Sequence, residues 1–158
     1  MSIPVTMSNP FRYYLRVRYG ECDAQRVVFN PRWADYVDIG STEFFRALGF
    51  GEALASGAID YQLVKLTIEW KAPARFDQVI ELSIYSTHLG NTSFTVVTEF
   101  RIADVEQVIC RAETVYVNVD PKALTKLPLS AQVRAALESG APGKVVDHAS
   151  RAASAAAS

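Results

Sequence analysis

Asn30-Pro31-Arg32-Trp33-Ala34-Asp35-Tyr36-Val37-Asp38-Ile39-Gly40-Ser41-Thr42-Glu43-Phe44-Phe45-Arg46-Ala47-Leu48-Gly49 is the stretch on which the fold turns. Asn30 suits a helix cap, because its side chain can accept from free N–H groups of the first turn, and Pro31 is pre-set for the first helical position. Trp33, Tyr36, Val37, Gly40, Phe44 and Leu48 recur at helical spacing and give one broad apolar face. Gly49 and Gly51 end it. The reading predicts a helix of about 18 residues, or ~27 Å at 1.5 Å per residue. Gly40, in its middle, costs roughly 1 kcal/mol against Ala. It either admits a close approach of the sheet or has no role.

Outward from this helix the chain reads as strands. Before it, Tyr13, Leu15, Val17 and Tyr19 alternate with Arg12, Tyr14, Arg16 and Arg18, a strand with one wet or partner-facing side. After it come Leu66, Ile68 and Trp70, then Ile80, Leu82 and Ile84, then Phe94 to Ile102, then about Gln107 to Val119, all alternating. Ala72-Pro73-Ala74, Leu89-Gly90-Asn91 and Ala103-Asp104 are the turns between them. Connections this short favour antiparallel hairpins. One amphipathic helix must bury its face on a sheet that too few helices can cover. The expected fold is therefore α+β, a curved five-stranded antiparallel sheet wrapped around one long central helix. A second subunit would cover its other face or edges. Residues 1–12 are expected to be a flexible N-terminus, 13–138 the domain, with a short helix over Leu129–Glu138, and 139–158 a disordered Ala/Ser-rich tail.

Composition narrows the function classes. A chain of 158 residues suits one domain, and its net charge of −1 provides no basic field for nucleic acid. Cys22 and Cys110 are too few for a disulfide framework or a four-ligand zinc site. Met1 to Pro10 carries no charged region followed by an apolar run, and no apolar run approaches the ~20 residues of a membrane span. A cytoplasmic protein without membrane or nucleic-acid partners is expected.

The chemistry concentrates just ahead of the helix, in Tyr19-Gly20-Glu21-Cys22-Asp23-Ala24-Gln25-Arg26-Val27-Val28-Phe29. Asp is common in turns, and alone Asp23 would be only a turn residue. Val27-Val28-Phe29 is too apolar for a free loop, so the segment should be packed down beside the helix start. A helix start offers free N–H groups and a positive partial charge. A carboxylate there can attack a carbonyl whose oxygen goes negative.

This segment resembles the active-site stretch of the 4-hydroxybenzoyl-CoA thioesterase-like hotdog enzymes, with Tyr19, Glu21, Asp23, Val28, Phe29 and Trp33 at matching places. Trp70 to Asp77, Leu89 to Phe94, and Val117 to Asp120 with Leu127-Pro128 resemble three further family segments, so the likeness covers roughly residues 13–138. The resemblance implies the hotdog fold and hydrolysis of an acyl- or aryl-CoA thioester to free acid and CoA. It implies no cofactor, since CoA is part of the substrate, and no metal. A homodimer or homotetramer is expected.

Carried over, Asp23 would be the catalytic carboxylate, as nucleophile or as general base, and the Asn30 backbone N–H would polarise the thioester oxygen. Arg26 departs from the family, which usually has Gly there, because Gly takes φ > 0 cheaply. Arg26 is also placed to reach a phosphate or an acyl carboxylate. Phe29, Trp33, Tyr36 and Tyr61 are the aromatics for an acyl pocket. Arg75, Asn91, Thr92, Ser93 and Arg101 are the residues for CoA contacts. Asp38 is a second-choice carboxylate, and Cys22 reads as a small buried residue because no His is near it in sequence. His88 and His148 read as surface residues. The rival readings are a non-catalytic acyl-CoA-binding or sensing module, kept alive by Arg26, and a hotdog dehydratase, opposed by the absence of a His at the helix start.

Overall fold

The computed structural model describes residues 8–151. In chain order it holds β1 (Phe11–Arg16), α1 (Arg32–Ala47), α2 (Gly51–Ser56), β2 (Asp60–Trp70), β3 (Val79–Leu89), β4 (Ser93–Ile102), β5 (Val108–Val119), α3 (Ala131–Ser139) and β6 (Val145–Asp147). The strands form one sheet in the order β2-β5-β4-β3-β1-β6. Its first five members pair antiparallel, and α1 buries its apolar stripe on one face, as expected of a hotdog.

The register shows which side chains meet α1. Leu82 lies opposite both Tyr13 and Phe100, and Phe100 lies opposite Cys110, so these share a face. Trp33, Tyr36, Val37, Phe44 and Phe45 of α1 complete a core whose members are almost wholly removed from water. Gly40 is the point of nearest approach. A Cβ built there would stand 2.7 Å from Leu82 Cδ2 and 3.0 Å from Ile84 Cδ1. The glycine therefore has a packing role, and its helix-propensity cost is offset by a closer helix–sheet contact.

Four differences from the sequence reading have local causes. The sheet has six strands, because Val145–Asp147 adds in parallel to Arg12–Tyr14. That strand lies inside the span expected to be a disordered tail. Ala141 and Ala149 are buried beside it, so small residues serve here as close-packing contacts. The expected disorder of 152–158, and of 1–7, falls outside the described residues. Strand β2 begins at Asp60, earlier than its alternation suggests, because a register shift between Leu63 and Lys65 moves the core-facing set from Tyr61 to Leu66 and Ile68. Gly51 does not end a helix but opens the short α2. Tyr14, on the expected wet face of β1, is buried under the Arg151 guanidinium, 4.2 Å above its ring, while its hydroxyl donates to Glu81 at 3.1 Å.

Gly40→Ala gains roughly 1 kcal/mol of helix propensity, and overpacking costs about 1–3 kcal/mol. Urea denaturation should show a net loss of about 1 kcal/mol. Gly40→Val has more bulk and poorer propensity, and should lose about 3 kcal/mol or more.

Candidate active site

The segment after β1 is built almost entirely by backbone hydrogen bonds. A one-turn 3₁₀ helix over Tyr19–Glu21 leads into a tight hairpin. Arg26 N–H donates to the Asp23 carbonyl at 2.9 Å, Asp23 N–H donates to the Val27 carbonyl at 2.9 Å, and Cys22 bridges Val28. This is a three-residue hairpin loop closed by a bulge, a geometry that needs a left-handed residue at its end. Arg26 supplies it, with φ +64°. The loop thus keeps the path that glycine favours although arginine occupies the position. The Asp23 Oδ1 accepts from the Gln25 N–H at 2.8 Å, an Asx turn that fixes the carboxylate over the loop.

Two anchors hold the hairpin down. Val28 N–H donates to the Ala74 carbonyl at 2.8 Å and ties it to the segment between β2 and β3. Glu21 ties it to α1. Its Oε1 accepts from the Tyr36 hydroxyl at 2.9 Å and from the Arg18 N–H at 2.7 Å, and its carbonyl accepts from the Phe29 N–H at 2.9 Å. Burial, and then the Glu21 carboxylate, push the Tyr36 phenol far above its ordinary range, so it stays protonated and donates. The sequence reading took Glu21 only as a motif residue and Tyr36 only as an aromatic. An acidic residue two before Asp23 and a Tyr on the inner face of α1 were the signal available.

At the start of α1, Arg32 N–H donates to the Phe29 carbonyl, Trp33 N–H to Asn30, and Ala34 N–H to Pro31. Pro31 has no N–H. Among the described residues the Asn30 N–H has no acceptor, so it is the amide left to serve a ligand here. No side-chain cap forms, since Pro31 occupies the cap position and α1 begins at Arg32.

Asp23 and Asn30 line two different clefts, whose walls meet at the Cys22–Val28 bridge. Asp23 shares one of about 270 Å³ with Tyr19, Cys22, Arg26 and Phe76. Asn30 shares one of about 250 Å³ with Val27, Val28, Trp33, Trp70, Lys71, Ala72 and Pro73. Trp33 is 1% exposed, a floor whose ring also meets Tyr36 and Phe100 edge-on. Phe29, Phe76, Tyr19 and Trp70 around the two clefts are exposed. Arg75 is exposed on the segment that anchors Val28.

Other expected site residues lie elsewhere. Tyr61 joins an aromatic cluster with Phe45, Phe94 and Tyr116, at the end of β2 opposite to Trp70. Asn91, Thr92 and Ser93 form the β3–β4 turn, at the end of the sheet away from Asp23. An 11-residue strand at ~3.3 Å per residue puts the two ends on the order of 30 Å apart. One chain does not bring these groups together. Arg101 lies on the sheet face away from α1 and is spent on Glu99, Ser83 and the Glu106 carbonyl. Asp38 is exposed. The Cys22 thiol is pushed up by burial and by the charges of Glu21 and Asp23, which keeps it from acting as a thiolate. Among the described residues, no group of three or more His, Cys, Asp or Glu could hold a metal ion.

Tyr36→Phe should cost about 1.5–3 kcal/mol, the scale of a hydrogen bond to a charged group. Hydrogen exchange at the Val28 and Phe29 amides should accelerate as the hairpin loosens. Arg26→Gly removes a left-handed strain of roughly 1–2 kcal/mol and adds ~0.5–1 kcal/mol of chain entropy. Its melting temperature should equal or slightly exceed that of the wild type. Arg26→Val, β-branched at the same φ, should melt lower than both.

A model of the thioesterase-like superfamily matches residues 17–137 of this chain. The acyl-CoA thioester hydrolase YbgC of Escherichia coli O6:H1 is 34% identical over 113 residues, 70% of this chain and 83% of that protein. A solved gentisyl-coenzyme A thioesterase superposes with a TM-score of 0.70 at 27% identity, covering 80% of this chain and 98% of its own. A 1,4-dihydroxy-2-naphthoyl-CoA thioesterase from Synechocystis shares the fold, with a TM-score of 0.72 at 20% identity over 80% of this chain and 94% of its own. The four family-like segments, the helix on its sheet and these likenesses converge: the chain belongs to the thioesterase-like superfamily and is a thioester hydrolase.

Proposed function

We propose that this protein hydrolyses an acyl- or aryl-CoA thioester, with Asp23 supplying the carboxylate and the Asn30 N–H holding the carbonyl oxygen. The observation that carries this reading is the pairing of a fixed carboxylate with an unspent amide on one short hairpin. Asp23 is half-buried and oriented by the Gln25 N–H. The Asn30 N–H is unsatisfied beside the α1 N-terminus, where developing negative charge is stabilised. As a nucleophile, Asp23 adds to the thioester carbon, the tetrahedral oxyanion collapses, and CoA leaves as the thiolate. Water then cleaves the mixed anhydride. As a base, Asp23 takes a proton from the water that attacks.

The substrate class follows from the relatives' named substrates, acyl-CoA for YbgC and gentisyl-CoA for the solved thioesterase. The exposed rings of Tyr19, Phe29, Phe76 and Trp70 suit an aryl or apolar acyl group. We further propose that two copies complete the site. Each cleft is below the ~300 Å³ of an ordinary small-molecule pocket. Among the described residues β2 has a strand neighbour on one side only, and its edge exposes Leu63, Val64 and Trp70. The second copy would bring its own β3–β4 turn, with Asn91, Thr92 and Ser93, within reach of a CoA bound at this chain's Asp23. Cys22 and Cys110 are both free thiols, which suits the cytoplasm. No described helix is long and apolar enough to cross a membrane.

A panel of aryl-, short- and long-chain acyl-CoAs, read by thiol release, tests the reaction. Wild type should turn over at least one ester, and Asp23→Asn should lose ~100-fold or more in kcat. Inert wild type that still binds the esters would favour the non-catalytic module. A single turnover in ¹⁸O-water tests the two roles. Unlabelled oxygen in the first product, with the label left in Asp23, identifies Asp23 as a nucleophile whose anhydride is cleaved at its own carbonyl; labelled product fits the base or cleavage at the acyl carbonyl, and trapping of an acyl-enzyme then separates those two.

A further inference from the structure

The Asp23 cleft is not isolated. Tyr19 and Phe76, packed edge-to-face at 5.8 Å, also line a second cleft of about 420 Å³ on their other side. Its walls are Tyr13, Leu15, Val17, Arg16, Arg18, Asp77 and His148. The strand β6 explains why it exists. It pairs only with Arg12–Tyr14, so among the described residues the edge of β1 from Leu15 onward has no strand beside it and becomes the floor. The chain leaving β6 then sets His148 over Tyr13, with Nδ1 3.0 Å from the phenol oxygen and the rings edge-to-face at 5.2 Å. The family model stops at residue 137, so this wall lies beyond the part of the chain that it matches.

The polar groups of this cleft point to an anion. Burial, and then the charge of Glu43, raise the Tyr13 phenol against the opposing effect of Arg18, so Tyr13 keeps its proton beside His148 Nδ1. In the tautomer whose Nδ1 accepts from that phenol, the exposed His148 offers Nε2–H as a donor. Arg16 is engaged with Asp77 and the Ala149 carbonyl, which neutralises the one carboxylate in the cleft. The Arg18 guanidinium is exposed and has no carboxylate partner among the described residues. The cleft thus presents one uncompensated cation and a free imidazole donor above an apolar floor, next to the carboxylate that does the chemistry.

We propose that this second cleft binds an anionic group at the far end of the thioester substrate, held by Arg18 and His148, while the reacting carbonyl lies across Tyr19 and Phe76 at Asp23. The inference rests on the thioesterase reading above. Its chemistry is that of a phosphate of CoA or a carboxylate on the acyl group. The unmatched C-terminal strand is then a binding element, and Tyr13 is a positioning residue that orients the imidazole.

The test uses the full chain with Arg18→Gln and His148→Gln, and Lys122→Gln as a distant charge control. Calorimetric binding of CoA and dephospho-CoA is measured alongside kcat and KM for the best acyl-CoA and for the N-acetylcysteamine thioester of the same acid. Losing a charge-assisted hydrogen bond should raise KM about tenfold with kcat nearly unchanged. Lys122→Gln should behave as wild type. An effect that vanishes with the N-acetylcysteamine ester and appears in CoA binding places the anion on CoA. An effect that persists with the N-acetylcysteamine ester of a dicarboxylic acid places it on the acyl group. Unchanged KM and unchanged CoA binding in both variants overturn the proposal while leaving the hydrolase reading intact. Loss of CoA binding in the variants of a protein that hydrolyses none of the esters would sink that reading and leave the cleft. Unaltered melting temperatures exclude misfolding, since both side chains are exposed.

Discussion

The contact between α1 and the sheet at Gly40 is the constraint from which the rest follows. Without a side chain there, Leu82 and Ile84 reach the helix backbone, and the core closes around Trp33, Tyr36 and Phe44. Dispersion falls steeply with separation, so a helix held further off would forfeit contact along its whole length. The low seat of α1 also decides where its first turn lies. Trp33 packs edge-on against Phe100, and this delivers Phe29, Asn30 and Pro31 to the end of the sheet where β1 leaves it.

Once α1 is placed, the hairpin that carries Asp23 has little freedom. Its backbone groups pair within the loop, with Ala74 and with Glu21, and Glu21 is itself gripped by Tyr36 of the helix. The strain that remains is local. Arg26 sits at φ +64°, three residues from the carboxylate. Backbone strain of this kind persists only where the surroundings over-determine it, and here the surrounding bonds do so. The amide left over is that of Asn30, because Pro31 has no N–H and the next three are spent. The loop thereby presents a half-buried carboxylate and is followed by an amide that has no acceptor among the described residues.

The surroundings of that hairpin divide into what one chain completes and what it leaves open. On the β1 side the chain supplies its own wall, through β6 and His148. On the β2 side it exposes Trp70 and an edge without a neighbouring strand among the described residues. The sheet face away from α1 is managed internally. Arg12 pairs with Glu81, Arg101 with Glu99 and Arg111 with Glu113, so that face carries matched charges over buried Val97 and Tyr85.

The central helix, the antiparallel hairpins and the family likeness of the segment around Asp23 were legible in the sequence. Each rests on a short-range rule: helical periodicity, strand alternation, turn residues, and a motif within a dozen residues. Partners separated by long stretches of chain were not legible. The bulge at Leu63 and Lys65 hides the first half of β2, because it exchanges the inward and outward sets partway along the strand. The Ala-rich C-terminal stretch has the composition of a tail, yet it forms β6 beside Arg12–Tyr14, some 130 residues away in sequence. Tyr61 and the Asn91–Ser93 turn look like site residues by pattern, but strand length carries them to the opposite end of the sheet. The sequence by itself determined the central helix, the antiparallel hairpins and the family likeness of the segment around Asp23, because those depend on neighbours along the chain. Only the tertiary structure decided that Gly40 is a contact, that Tyr36 holds Glu21, and that His148 faces Tyr13, because those depend on which surfaces the core brings together.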